Sequence, residues 1–179
     1  MSFFQDVKRD IHHHLNGPFY ETPRKITPLR LLCAIIEPAF QIVFAYRCYH
    51  RLYKIGLLGL SYLMYIGVKA TMRCDIAREA SIGPGLRIVH PFDIVIGPDV
   101  HIGKDVVIFN GVTLGNRLSR DSWTGMPKVG DGVLIGTGAK ILGPIHIGDN
   151  AKIGANAVVL ISVPKNATAV GNPARIVSE

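Results

Sequence analysis

Long apolar runs are missing from this chain. The longest, Ile55 to Val68, has fourteen residues, and a helix needs about 20 to cross a bilayer. Leu29 to Tyr46 is longer but is interrupted by Arg30, Glu37, Pro38 and Gln41. No cleavable leader is evident, because Met1 to His14 is polar and mixed in charge. Cysteine is scarce. Cys33, Cys48 and Cys74 are odd in number and lack metal-ligand spacing, which excludes a disulfide framework and a cysteine zinc site. They read as reduced, mostly buried thiols of a cytoplasmic protein. Blocks of Lys and Arg and aromatic-basic stripes are also absent, so nucleic acid is not an expected partner despite a net charge of +7. The excess charge suits a nucleotide-bearing cofactor, an acidic glycan or a membrane surface, or simply a solvated exterior.

What is abundant is a repeat. Thirteen Ile, Val or Leu residues recur six apart in the second half. They run Ile76, Ile82, Ile88; then Ile96, Ile102, Ile108, Leu114; then Val129, Ile135, Ile141, Ile147, Ile153, Val159. Most are followed by Gly. The fifth position of each unit is usually small or apolar, as in Ala80, Val100, Val106, Val112, Ala139, Ala151 and Ala157. Residues six apart lie about 120° from each other on an α-helix, so no helix can use this period. A stacked coil can, with each turn burying its branched residues against the next. Six residues make one short strand and one corner, where Gly supplies positive φ. Three units close a triangular turn of parallel strands.

The first seventy residues are organised differently. Ser2 to Leu15 reads as a short helix, with His12, His13 and His14 on a polar face or fraying end. Pro18, Pro23 and Pro28 mark a loop. Leu29 to Val68 reads as two or three helices packed on the base of the coil. Its basic, aromatic thread of Arg30, Arg47, His50, Arg51 and Lys54 also suits a peripheral contact at the inner membrane face. The domain reading is residues 1–72 helical and 73–179 coil.

A regular coil offers no chemistry of its own, so function is expected where the period breaks. One break is a two-residue slip within Val89 to Val95, which carries His90. The other is the excursion from Asn116 to Lys128, with Arg117, Arg120 and the single tryptophan, Trp123. Asp75 precedes His90 by fifteen residues, a little under one coil. From the adjacent turn its carboxylate can orient the imidazole, leaving the other nitrogen to take a proton from a hydroxyl.

From Cys74 to Val177 the chain resembles the hexapeptide-repeat acyltransferases, most closely the serine acetyltransferase branch and its exopolysaccharide or colanic-acid-type relatives. The resemblance rests on Asp75-Ile76, Ala80 to Gly83, Val89-His90, Gly111 to Arg117, Ile135 to Gly143, Ala151 to Val159 and Val170 to Val177. It implies a mainly β fold, a left-handed parallel β-helix assembled as a homotrimer with active sites between subunits. Acetyl-CoA would be the co-substrate, with no metal. His90 would be the general base and Asp75 its partner. Gly115, Ala139, Lys140 and Lys152 would contact the cofactor, with backbone N–H groups near Gly115 facing the oxyanion. Arg117 and Trp123 would serve the acceptor.

The departures carry information too. Serine acetyltransferases place Asp before the catalytic His, where this chain has Val89. They place an Arg-His pair where it has Gly125-Met126. They also carry an extended tail that docks a sulfhydrylase, so no sulfhydrylase complex is expected. Losing both charged handles argues against serine, and the expected acceptor is therefore a hydroxyl of a sugar or polysaccharide precursor. Serine O-acetyl transfer is the alternative. Two further rivals are a zinc enzyme built on His90, His101 and His146, and a scaffold without chemistry.

Overall fold

The structure, a computed structural model, describes residues 3–17, 25–119, 122–123 and 125–177, with the backbone alone at 118–119 and 122–123. Four helices precede the coil: α1 (Phe3–Asn16), α2 (Pro28–Ile36), α3 (Pro38–Lys54) and α4 (Leu58–Met72). Thr27 opens α2 by accepting the N–H of Arg30 on its side chain, and Pro28 takes the first position, where no N–H is needed. Glu37 and Pro38 then divide α2 from α3 at an angle of 72°. A proline cannot continue the helix that precedes it.

Strands follow in units of three. The first coil is β1 (Asp75–Ile76), β2 (Ser81–Ile82) and β3 (Arg87–Val89); the second is β4 (Val95–Ile96), β5 (His101–Ile102) and β6 (Val107–Phe109). The third begins with β7 (Thr113–Gly115). It leaves the shaft as the antiparallel hairpin β8 (Leu118–Ser119) and β9 (Ser122–Trp123), and resumes with β10 (Lys128–Val129) and β11 (Leu134–Ile135). Then come β12 (Lys140–Leu142), β13 (His146–Ile147), β14 (Lys152–Ile153) and β15 (Val158–Val159). The hairpin of β16 (Thr168–Gly171) and β17 (Ala174–Val177) ends the stack. Three faces result: β1-β4-β7-β12-β15, then β2-β5-β10-β13, then β3-β6-β11-β14-β16 closed by β17. Except for the two hairpins every pairing is parallel. This is the stacked parallel coil expected from the hexads, and it has the form of the left-handed β-helix that the resemblance implies.

All thirteen branched residues of the repeat are buried in the shaft, as are the small residues at the fifth position. Each branched side chain contributes about 1.5–3 kcal/mol relative to exposure. The glycines that follow them are there for a different reason from the one expected. Positive φ falls at a later position of the unit, filled by Asp99, Asp105, Gly138, Asn150 and Asn156. Asn and Asp tolerate the left-handed region, and glycine is not required there. The glycine after the branched residue is instead a close approach between coils. A Cβ at Gly136 would lie 2.8 Å from the Ala155 nitrogen.

A stack has open ends, whose unpaired carbonyls must be satisfied. Helix α3 closes the first end with side chains. Tyr46 donates to the carbonyl of Ala80 at 2.7 Å and Tyr49 to that of Ile76 at 2.8 Å. His50 bonds the Arg78 carbonyl at 2.8 Å, and Arg47 donates to the carbonyls of Ile82 and Gly83. Arg47 also forms a two-bond ion pair with Asp10 of α1. Asp10 accepts the N–H groups of Gly85 and Leu86 as well, at 2.7 and 3.1 Å. One buried pair therefore joins α1, α3 and the turn into β3. The histidine run is part of this docking and not a fraying end: His13 bonds the Gly85 carbonyl and His14 reaches Glu37 at 2.7 Å.

Among the described residues no single helix is long and apolar enough to cross a membrane. Helix α4 buries only Ser61 and exposes Leu58, Leu60, Tyr62, Leu63 and Ile66. Cys74 is buried and Cys48 half-buried, but Cys33 on α2 is exposed, contrary to the expectation of mostly buried thiols.

Candidate active site

The register slip bulges outward at the corner between the third and first faces. Two residues within it, His90 and Asp93, hold left-handed backbone with φ of 56° and 54°. A non-glycine residue there is uncommon, and such strain persists where the surroundings fix it. Here the carbonyl of His90 accepts the N–H of Phe92 at 2.8 Å, and the carbonyl of Phe92 accepts that of Gly111 at 2.9 Å. The bulge is thus tied to the coil beyond it, and the His90 side chain is exposed. Sulfur of Cys74 lies 3.4 Å from the Pro91 carbonyl, so the first coil passes directly beside the bulge.

The expected Asp75–His90 pair is not formed in this conformation. Asp75 accepts the Tyr65 hydroxyl at 2.6 Å and the Lys69 ammonium at 2.6 Å. Tyr65 and Lys69 are one turn apart on α4, so both reach the same carboxylate. Among the described residues no hydrogen bond joins Asp75 to His90. Burial and the bond to Asp75 raise the Tyr65 pKa.

His90 borders a cleft of about 290 Å³ between the end of α1, helix α2 and β3. Its polar lining includes His14, Arg30, Glu37 and Arg87, and its apolar lining includes Leu15, Ala34 and Val89. Arg30 is fixed by donating to the carbonyls of Lys25 and Leu15 at 2.9 and 3.0 Å. Gly17 presses on Arg87 so closely that a Cβ would collide with its guanidinium. Sequence reasoning missed His14, Arg30, Glu37 and Arg87 as members of this site. Arg30 in apolar α2 and Glu37 just beyond its end sit seven apart, which was the available signal.

Of the expected cofactor residues, Gly115, Ala139 and Lys140 lie at neighbouring strands of the first face, and Lys152 lies on another. Lys140 stands on the first face and donates to the Gly111 carbonyl at 2.6 Å and the Thr113 hydroxyl at 3.1 Å. Lys152 stands exposed on the third face. Ala139 is fully buried, its N–H on Gly136 and its carbonyl on Thr113. Its methyl fills the shaft, which leaves only its backbone to face outward. A Cβ at Gly115 would meet only ordinary contacts at 3.7 Å, so the fold itself does not demand glycine there. Arg117 leaves the shaft between the first and second faces, a different corner from His90. The backbone of Trp123 is in β9, and its side chain lies outside the described residues, as does Arg120. His101 and His146 share the second face with Lys128 between them, away from His90. Among the described residues no group of three metal-binding side chains is present.

A parallel coil of hexads with an exposed histidine at a tied bulge defines a hexapeptide-repeat transferase. Two family models agree: bacterial transferase hexapeptide (six repeats) matches residues 126–160, and the hexapeptide repeat of succinyl-transferase matches 93–117. The serine acetyltransferase of Haemophilus influenzae is 44% identical over 140 residues, covering 78% of this chain and 52% of that protein. That of Helicobacter pylori is 35% identical over 170 residues, covering 95% of this chain and 98% of its own. The structure of soybean serine acetyltransferase complexed with serine superposes with a TM-score of 0.86 at 35% identity, covering 98% of this chain and 70% of that one. The chain belongs to the serine acetyltransferase family of hexapeptide-repeat acetyltransferases. It spans about half the length of the first curated relatives it matches. These likenesses overturn the sugar or polysaccharide acceptor expected from the loss of two charged handles. The relatives carry the name of serine acetyltransferase at 35–44% identity.

Proposed function

We propose that this protein transfers the acetyl group of acetyl-CoA to the hydroxyl of serine. The observation that carries the reading is His90, exposed at a strained, tied bulge beside a small cleft, in a chain whose relatives act under that name. His90 takes the proton of the serine hydroxyl as its oxygen attacks the thioester carbonyl. A C–O bond forms, the C–S bond breaks, and the proton passes from His90 to the departing thiolate, giving O-acetylserine and CoA. Donors near Gly115 would stabilise the oxyanion. Asp75 would orient His90 only after its carboxylate turns away from Lys69.

The reading includes a homotrimer. Lys140 and Lys152 stand on different faces, so one acetyl-CoA would meet both most simply in a groove between two subunits. The uncovered apolar surface of α4 also fits burial against a second copy.

The test is a thiol-release assay with acetyl-CoA and serine. His90→Ala is expected to lower kcat by about 10²–10⁴. A folded variant with undiminished transfer would remove His90 from this role.

A further inference from the structure

Serine reaches this site without the handles of its relatives, since Val89, Gly125 and Met126 stand at the charged positions. The cleft beside His90 supplies others. Two guanidinium groups, Arg30 and Arg87, and one carboxylate, Glu37, line it. Their charges complement a zwitterion, which offers a carboxylate and an ammonium a few bonds apart. Arg30 is held by two main-chain carbonyls. Glu37 is held by His14 at 2.7 Å yet remains accessible, with 56% of its side chain exposed. A planar guanidinium is the group best matched to a carboxylate. The volume, about 290 Å³, lies at the lower end of ligand sites, commonly about 300–1,000 Å³, which suits a small acceptor.

We propose that this cleft is the amino-acid subsite: Arg30 and Arg87 hold the acceptor carboxylate, Glu37 holds its ammonium, and the hydroxyl is thereby presented to His90. The proposal rests on the serine reading above. It makes Arg30 and Glu37 specificity-determining residues for which the relatives' charged positions offer no precedent. Val89 then serves as an apolar wall where a carboxylate is not needed, because Glu37 carries that charge from the junction of α2 and α3.

Steady-state kinetics on the full chain test it, with serine, serinamide (carboxylate blocked) and 3-hydroxypropionate (no ammonium) as acceptors. Glu37→Gln and Arg30→Gln are each expected to raise KM for serine about ten- to a hundredfold, with kcat and the KM for acetyl-CoA nearly unchanged. Glu37→Gln should erase the preference for serine over 3-hydroxypropionate and keep that over serinamide; Arg30→Gln should do the reverse. A purely structural role would weaken all three acceptors alike. If Arg30→Gln fails to fold, Glu37→Gln with the paired acceptors decides. Cys33 lines the same cleft and is exposed, so serine should slow its alkylation in the unsubstituted protein. Unchanged serine KM and selectivity in both folded variants would overturn the subsite and leave serine transfer standing. No turnover of serine by unsubstituted protein that binds acetyl-CoA would instead remove the serine reading, and the subsite with it.

Discussion

Replacing Asp10 with Asn should unfold the join between helices and coil far more than a one-atom change implies. Asp10 is 1% exposed and accepts four hydrogen bonds, two from Arg47 and one each from the N–H groups of Gly85 and Leu86. The amide keeps one accepting oxygen but turns an NH2 toward donors. Oδ1 takes three of these bonds and Oδ2 only that from Arg47 Nε. With the amide oxygen at the Oδ1 place, one Arg47 bond is lost and the other keeps a neutral acceptor, charge-assisted bonds being worth about 1.5–3 kcal/mol each. Arg47, itself 5% exposed, is left as a buried cation facing only carbonyls. Breaking one side of a buried pair typically costs about 3–5 kcal/mol. Denaturant unfolding followed by circular dichroism measures it. Replacing both partners, Asp10→Leu with Arg47→Met, should cost less than the two single changes added together, because no charge is stranded, although the carbonyls of Ile82 and Gly83 and the N–H groups of Gly85 and Leu86 lose their partners. A loss below about 1 kcal/mol for Asp10→Asn, or a double variant worse than the sum of its singles, would refute the reasoning.

Other outcomes follow from the same packing. Burial lowers the pKa values of His13 and His50 below the ordinary 6.5. The unfolded chain then binds more protons, so stability should fall as pH drops below about 6.5 and level off once the folded-state values are passed; the unfolding midpoint against pH checks this, and His50→Gln should flatten it. Gly136→Ala places a Cβ 2.8 Å from backbone and should cost about 1–3 kcal/mol. Gly115→Ala, with 3.7 Å of clearance, should leave the melting temperature unchanged while raising the KM for acetyl-CoA. Leu60→Glu with Leu63→Glu should lower the particle mass seen by light scattering, and an unchanged mass would place the subunit contact elsewhere. Asp75→Asn should lower kcat with acetyl-CoA affinity intact, whereas Lys69→Met should not; equal losses in both would confine Asp75 to holding α4.

The sequence by itself determined the coil. Ile135 and its twelve counterparts are buried because a period of six returns one residue per unit to the same interior line. The slip before Ile96 likewise located the bulge and His90, since two extra residues in a fixed-length corner must leave the shaft. Local spacing carries that much because neighbouring coils repeat one another. What only the tertiary structure decided depends on segments far apart in the chain. The carbonyls closed by Tyr46 and Tyr49, and the partners taken by Asp10 and Asp75, follow from how α1, α3 and α4 seat on the first coil. The cleft of His14, Arg30, Glu37 and Arg87 exists because α1 and α2 meet beside β3. No periodicity records such a meeting: it is set by the shapes of packed surfaces, and residues up to seventy-three positions apart acquire a common chemistry only there.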